Sequence, residues 1–308
     1  MGIFSRKFVV MWLMFMCIFF YGLRSEAAQL LITDQSSDAL FETEFANPKH
    51  LNVLQILNEH VTVKTKFGGA FVSSLSGFDK EFKEREGAQW FYYVNGIMSP
   101  VGAVEYHPTE SDHIWWDCHG WGGDRFLGAV VGAYPEPFVS GYGGKVSPTV
   151  VWAAQGFEAE AQALTKTLSG FGVTTAKVSS LTRDSSFDIE NSISICIGPW
   201  AKLEENNSLA DMFKNGNKLG IFFTAEDGKI IPLNWNGGRG NFLEKAGIIF
   251  AAKSAFQGVN PVWFITGTDE SSTREALDLL LNHPDQIKKR PGIFLAGGAI
   301  SNVPLPAN

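Results

Sequence analysis

Apolar and polar positions change rhythm twice along this chain of 308 residues. Phe8 to Leu23 is an apolar run without a charge, preceded by Arg6 and Lys7. From there to about position 147, short alternating stretches dominate, the period of half-buried strands. Gln29–Thr33 reads as a strand. Leu51, Val53, Leu54, Ile56 and Leu57 fall at helical spacing, which predicts an amphipathic helix over His50–Glu59. Val61–Thr65 alternates, Gly68-Gly69 breaks it, and Ala70–Leu75 is a further strand. Trp90–Val94 is an aromatic strand running into Asn95-Gly96, the pair that best tolerates the positive φ angles of a type I′ hairpin turn. Ala103–His107 and His113–Cys118 read as two more strands, separated by a polar turn at Pro108–Asp112.

Beyond position 148, continuous apolar runs alternate with helical spacing. Val150–Ala154 and Ile193–Gly198 are strands of the fully buried kind. Glu158–Leu168 is a helix with Ala161, Leu164 and Leu168 on one face. Thr174–Val178 is extended, and a helix around Leu209–Phe213 precedes the run Leu219–Phe223. Asp227-Gly228 turns a hairpin into Lys229–Leu233. Pro261–Gly267 feeds a helix over Ser272–Leu281, and Ile293–Ala296 either joins the second sheet or reaches back to the first. The expectation is an α+β chain: a small sheet domain at 29–147, closed by a Gly/Pro-rich extension, then a layered α/β domain at 148–308. Between them Tyr134–Gly144 is rich in turn formers, yet its aromatics suit an ordered connection better than a free linker.

The apolar run is somewhat short for a membrane span, and Ser25 and Ala27 suit a cleavage site. Residues 1–28 therefore read as a secretory signal peptide cut after Ala27 or Ala28, which places the chain outside the cytoplasm. If uncleaved, the same segment would tether it to the cell surface. The formal net charge of −7 comes without a basic cluster, which argues against nucleic acid as a partner. Past the leader only Cys118 and Cys196 remain, too few for a disulfide scaffold, and they are expected as separate thiols. No Cys-x-x-Cys, His-Glu-x-x-His or EF-hand pattern points to a metal.

The stretch from 52 to 121 carries an ordered set of features. Phe67-Gly68-Gly69-Ala70-Phe71-Val72 comes first, then Trp90-Phe91-Tyr92-Tyr93-Val94-Asn95-Gly96. Gly102-Ala103 and Ser111-Asp112-His113-Ile114-Trp115-Trp116 follow. In order and spacing this resembles the transcobalamin-like C-terminal domain family, over about a quarter of the chain. The resemblance implies a small β-grasp-like domain, of the kind that closes over the corrinoid in animal cobalamin carriers and occurs in exported bacterial proteins. A Tyr would suit the family pattern where Cys118 stands. No ligand contact carries over, because the matching residues are those of the turn and the sheet.

The residues themselves supply the binding candidates. Tyr92, Trp115, Trp116 and Trp121 are flat, rigid side chains suited to stacking on a macrocycle or sugar face, although Trp115 and Trp116 must point to opposite sides of a strand. His119, between two tryptophans, is the foremost of His107, His113 and His119 as a ligand to cobalt or another metal. Arg239, in the Gly-rich loop Asn234–Asn241, could help backbone amides cradle an anion. Thr268 or Asp269 either lines a ligand crevice or caps the following helix. No Gly-x-Ser-x-Gly elbow is present, and Cys118 beside His119 is the sole thiol–histidine candidate. The leading expectation is an exported ligand-binding or accessory protein without catalysis. Its ligand would be a small molecule such as cobalamin, a related corrinoid or another organic cofactor. A cell-envelope protein-interaction module is the alternative, and a secreted hydrolase the second.

Overall fold

The computed structural model describes residues 28–35, 38–46, 50–69, 71–78, 80, 82, 86–120, 125–254 and 258–306. The apolar leader lies outside them. The first elements in chain order are β1 (Ala28–Asp34), β2 (Asp38–Phe45), α1 (Val53–His60), β3 (Thr62–Lys66), β4 (Phe71–Ser76), β5 (Ala88–Val94), β6 (Ile97–Met98) and β7 (His113–Gly120). Five strands form one mixed sheet in the order β2-β1-β7-β5-β6, and β3 pairs with β4 as a separate ribbon. Only β1 and β7 run parallel within this sheet.

Alternation here serves two buried faces rather than one. Leu30, Ile32, Trp90, Tyr92, Ile114 and Trp116 point to one side, into a cluster with Val53 and Leu57 of α1 and Val72 and Leu75 of β4. Leu31, Tyr93 and Trp115 point to the other, into the apolar cluster of the second sheet. Helix α1 starts with a capping box: Asn52 accepts from the Gln55 N–H, and the Gln55 side chain accepts from the Asn52 N–H. The start of α1 also explains why Ala103–His107 is not the strand that alternation predicts. The Ala103 and Tyr106 carbonyls accept from the N–H groups of Leu54 and Val53, both at 3.0 Å, and the Asn52 side chain donates to the Val104 carbonyl. These groups are spent on a helix end and cannot build a ladder.

The aromatic hairpin forms as expected. Asn95 and Gly96 take φ angles of 51° and 77°, and Tyr93 and Val94 pair with Met98 and Ile97. The Asn95 side chain then holds the turn in place, donating to Asp112 and to the Gly141 carbonyl.

The second half continues with β8 (Thr149–Ala153), α2 (Glu158–Gly170), β9 (Lys177–Ser180), β10 (Ile193–Ile197), α3 (Trp200–Leu203), α4 (Asn207–Lys214), α5 (Gly216–Leu219), β11 (Phe223–Glu226), β12 (Lys229–Pro232), β13 (Gly247–Ala252), β14 (Val262–Gly267), α6 (Glu270–Asn282), β15 (Ile293–Ala296) and β16 (Ala299–Asn302). Seven of these strands form a sheet in the order β16-β15-β13-β14-β10-β8-β9. Its half from β14 to β9 is parallel and the remainder antiparallel. Strands β10, β13 and β14 are buried along their whole length, as central strands covered on both faces must be. The two faces show in neighbouring residues of β14. Trp263 meets Phe138 and Tyr134, whereas Phe264 meets Phe213 of α4 and Phe250 of β13.

Several expectations shift. Ile293–Ala296 joins the second sheet. The run Leu219–Phe223 is a helix end, a left-handed Gly220 and only then a strand start. Strands β2, β13 and β16 were not anticipated. Residues 125–141 run between the two sheets and are ordered, with Val131 and Phe138 fully buried. Val131 and Gly132 donate to the carbonyls of Pro291 and Arg290 at 3.0 and 2.8 Å. A side chain on Gly132 would collide with the backbone of Lys289 and Arg290, so only glycine permits this approach.

Candidate ligand-binding site

A cleft opens between the first sheet, the segment 132–140 and the chain beyond α6. It has a volume of about 460 Å³ and takes walls from β1 and β2, from the start of β7, from residues 132–140 and from Lys288 and Lys289 beyond α6. Gly132 positions the last wall, since its carbonyl accepts from the Lys289 N–H at 3.2 Å. Lys289 reaches across to Glu42 of β2 at 2.6 Å. Lys288 is exposed at the cleft and forms no ion pair among the described residues.

His113 sits at the first position of β7 and lines the cleft. Burial holds its imidazole down to a pKa of about 4, with Lys288 and Lys289 adding to the effect and Glu42 opposing it. It is therefore neutral at pH 7. Asp112 beside it is fully engaged, accepting from Asn95, from the Tyr106 hydroxyl and from the Thr109 N–H. Glu136 accepts from the Ser140 N–H and hydroxyl. The cleft thus combines a neutral imidazole and a cation with fixed carboxylates, a polar set able to orient a small molecule.

The sequence-derived candidates do not converge on one place. Tyr92 and Trp116 stack with centroids 5.1 Å apart and line a hollow of about 210 Å³ on the opposite face of the first sheet. Trp115 is fully buried and its indole donates to Thr33, so it has no surface for a ligand and acts as core. His119 is 3% exposed and lies between Phe91 and Trp235, with ring centroids 4.4 and 4.3 Å away and nearly parallel planes. Its Nδ1 is 2.8 Å from Asp117 Oδ2. A carboxylate only accepts, so that proton sits on Nδ1. Thr33 donates to the other oxygen of Asp117 at 2.5 Å. The chain Trp115–Thr33–Asp117–His119 ties β1 to β7, and Trp235 covers its outer end.

Arg239 is on the surface, paired with Glu226 at 2.7 Å, and does not reach the cleft or the hollow. Nor does its loop offer amides to an anion. The Asn234 side chain accepts from Asn236 and Gly238, the Asn234 carbonyl from Gly237, and the Pro232 carbonyl from Gly240. Trp121 lies outside the described residues. His107 is exposed, and His113 and His119 stand at opposite ends of β7, about 20 Å apart at the usual strand rise. Among the described residues no group of three or more His, Cys, Asp or Glu is placed to hold a metal ion. Asp269 accepts from the Ser272 N–H and caps α6. Cys118 packs in the cluster on the α1 side, while His119 stacks on the other face against Trp235, so no thiol–histidine pair forms.

Sequence reasoning missed Lys288, Lys289, Glu136 and Gly132, which come to the cleft from segments far apart in the chain. In the sequence His113 stands out only as one of three neighbouring histidines. Residues 51–120 match the family model described as a domain of unknown function, DUF4430. No curated protein matches the chain significantly. Among the described residues no helix is long and apolar enough to cross a membrane.

Proposed function

We propose that this chain is an extracytoplasmic binding protein that holds a small organic ligand in the cleft between its first sheet, residues 132–140 and Lys288–Lys289. The cleft carries the reading: about 460 Å³ falls within the roughly 300–1,000 Å³ usual for small-molecule sites, and its polar groups arrive from the first sheet, from residues 132–140 and from the chain beyond α6. A leader that directs export and a domain resembling the transcobalamin type support a protein that meets its ligand outside the membrane. A whole corrinoid exceeds the cleft, which would grip only a side group of it.

The test is ligand-induced thermal shift with a panel of cobalamin, small carboxylic acids and nucleosides, run on the wild type and on Gln29→Trp. Gln29 is an exposed strand residue at the cleft, so a tryptophan there blocks the mouth without entering the core. A ligand at a hundred times its Kd adds about 2.7 kcal/mol, which raises Tm by about 4–5 °C for a chain of this size. The shift should vanish in Gln29→Trp. Silence across the panel, with a stable complex to an envelope protein, would replace this reading by the interaction module. One observation favours that second reading: Phe67, at the tip of the β3–β4 ribbon, is 85% exposed with Lys64 and Lys66 beside it.

A further inference from the structure

The tip of the β3–β4 ribbon carries an aromatic ring that the fold leaves in water. Phe67 is 85% exposed. The next most exposed large apolar residue, Phe242, is 57% exposed and has the Lys229 ammonium 4.3 Å above its ring. Phe67 has neither a ring nor a cation as partner among the described residues. Its backbone is costly too. Phe67, Gly68 and Gly69 take φ angles of 53°, 68° and 96°, and the first is a conformation that a bulky side chain rarely adopts. Exposure of the ring and the left-handed backbone both oppose folding, and no described contact offsets them. A residue held in this way points to a role outside the fold's own stability.

Charge at the tip has one sign. Val63 turns inward to the α1 cluster, so alternation sends Lys64 and Lys66 outward, and both are exposed. Neither forms an ion pair among the described residues. The ladder pairs Thr62 with Ser76 at one end of the ribbon and Lys66 with Phe71 at the other. The chain therefore enters and leaves the ribbon at the end away from Phe67. Glu105, near the ribbon's base, holds its carboxylate beside Gly102 and pairs with neither lysine.

The shape of the tip decides between partners. The space beside Gly68 is open, and in the turn Phe67 is flanked by lysine and glycine. A stable protein contact takes about 800 Å² from each side, with its aromatic anchor inside a broad packed patch. A single ring on a convex turn beside two ammonium groups fits a bilayer surface instead. The ring can enter the acyl boundary while the long lysine stems reach the phosphates.

We propose that the tip of the β3–β4 ribbon is a membrane-contact site, where Phe67 inserts into a bilayer surface and Lys64 and Lys66 bind anionic phospholipid headgroups. The site is separate from the cleft, and its function does not depend on what the cleft holds. The formal net charge of −7 turns the rest of the chain away from such a surface, so contact is made tip first. One ring and two lysines make the contact weak, reversible and sensitive to salt.

The test is co-sedimentation with vesicles of equal parts phosphatidylglycerol and phosphatidylcholine, and with vesicles of phosphatidylcholine alone. The chain starting at Ala28 is used, because it holds every described element and the apolar leader would bind vesicles by itself. Wild type should bind the anionic vesicles and bind the neutral ones at least tenfold more weakly, since two lysines contribute about fivefold each. Lys64→Gln and Lys66→Gln should each weaken anionic binding about fivefold. Phe67→Ser should weaken it at least about tenfold, and Phe67→Trp should restore it. Lys177→Gln, on the exposed strand β9, should change nothing. Raising salt from about 0.1 M to about 1 M shortens the screening length from about 10 Å to about 3 Å and should erase the difference between wild type and the lysine variants. Absence of binding to the anionic vesicles overturns the proposal, as does equal binding to both kinds or full binding by Phe67→Ser. A complex with an acidic envelope protein that Phe67→Ser abolishes, without vesicle binding by the wild type, gives the tip to a protein partner and overturns it as well.

Discussion

Replacing Trp235 with alanine tests how the first sheet is joined to the loop after β12. Trp235 belongs to the loop after β12, is 2% exposed, and stacks on His119 of β7 with centroids 4.3 Å apart and planes at 16°. Its other edge meets Phe222 at 5.5 Å. Removing a buried tryptophan costs about 3–5 kcal/mol, of which the two aromatic pairs supply about 0.5–1.5 kcal/mol each. The rest is lost burial and the wetting of the Asp117–His119 pair. Equilibrium urea unfolding of wild type, Trp235→Ala, His119→Ala and the double variant measures both quantities. The single variant should lose about 4 kcal/mol, and the His119–Trp235 coupling should be about 1 kcal/mol. A loss below about 1 kcal/mol, or a coupling within about 0.3 kcal/mol of zero, would refute the view that this stack closes the joint.

Three further expectations follow from buried groups. His113 has a folded pKa of about 4 against an ordinary 6.5, so its contribution is complete above pH 6.5. As pH falls from 6.5 towards 4, the unfolded chain takes up a proton that the folded chain refuses. Up to about 3 kcal/mol is then lost, and His113→Gln should flatten that part of the stability–pH curve. Gly96→Ala should cost about 1–3 kcal/mol in the same urea assay, because φ is 77° and the new Cβ would stand 2.8 Å from the Val130 carbonyl oxygen. Cys118 and Cys196 are both buried, and burial pushes the Cys196 thiol well up. A thiol reagent should therefore label neither in the native chain and both in urea; prompt native labelling of Cys118 would reopen the hydrolase alternative.

Local patterns along the chain determined a good deal. Asn95-Gly96 fixes the hairpin because few other pairs accept two positive φ angles. Asp227-Gly228 does the same for β11 and β12, with φ angles of 50° and 73°. The apolar runs of β10 and β14 declare central strands, and the spacing of Leu51 to Leu57 declares α1. These signals depend on nearest neighbours, so the sequence carries them by itself. Tertiary structure decided what each element faces. Alternation sends Trp115 and Trp116 apart, but only the second sheet, packed on the Trp115 side, turns that residue into core and leaves Trp116 at a hollow. The Gly-rich loop promised amides for an anion until Asn234 bound them from within. Ala103–His107 alternates like a strand, yet its carbonyls are taken by the first turn of α1. The cleft depends on Gly132 meeting the backbone of Lys289 and Arg290 across more than half the chain. No local pattern encodes that approach, because it arises from two distant segments competing for one volume.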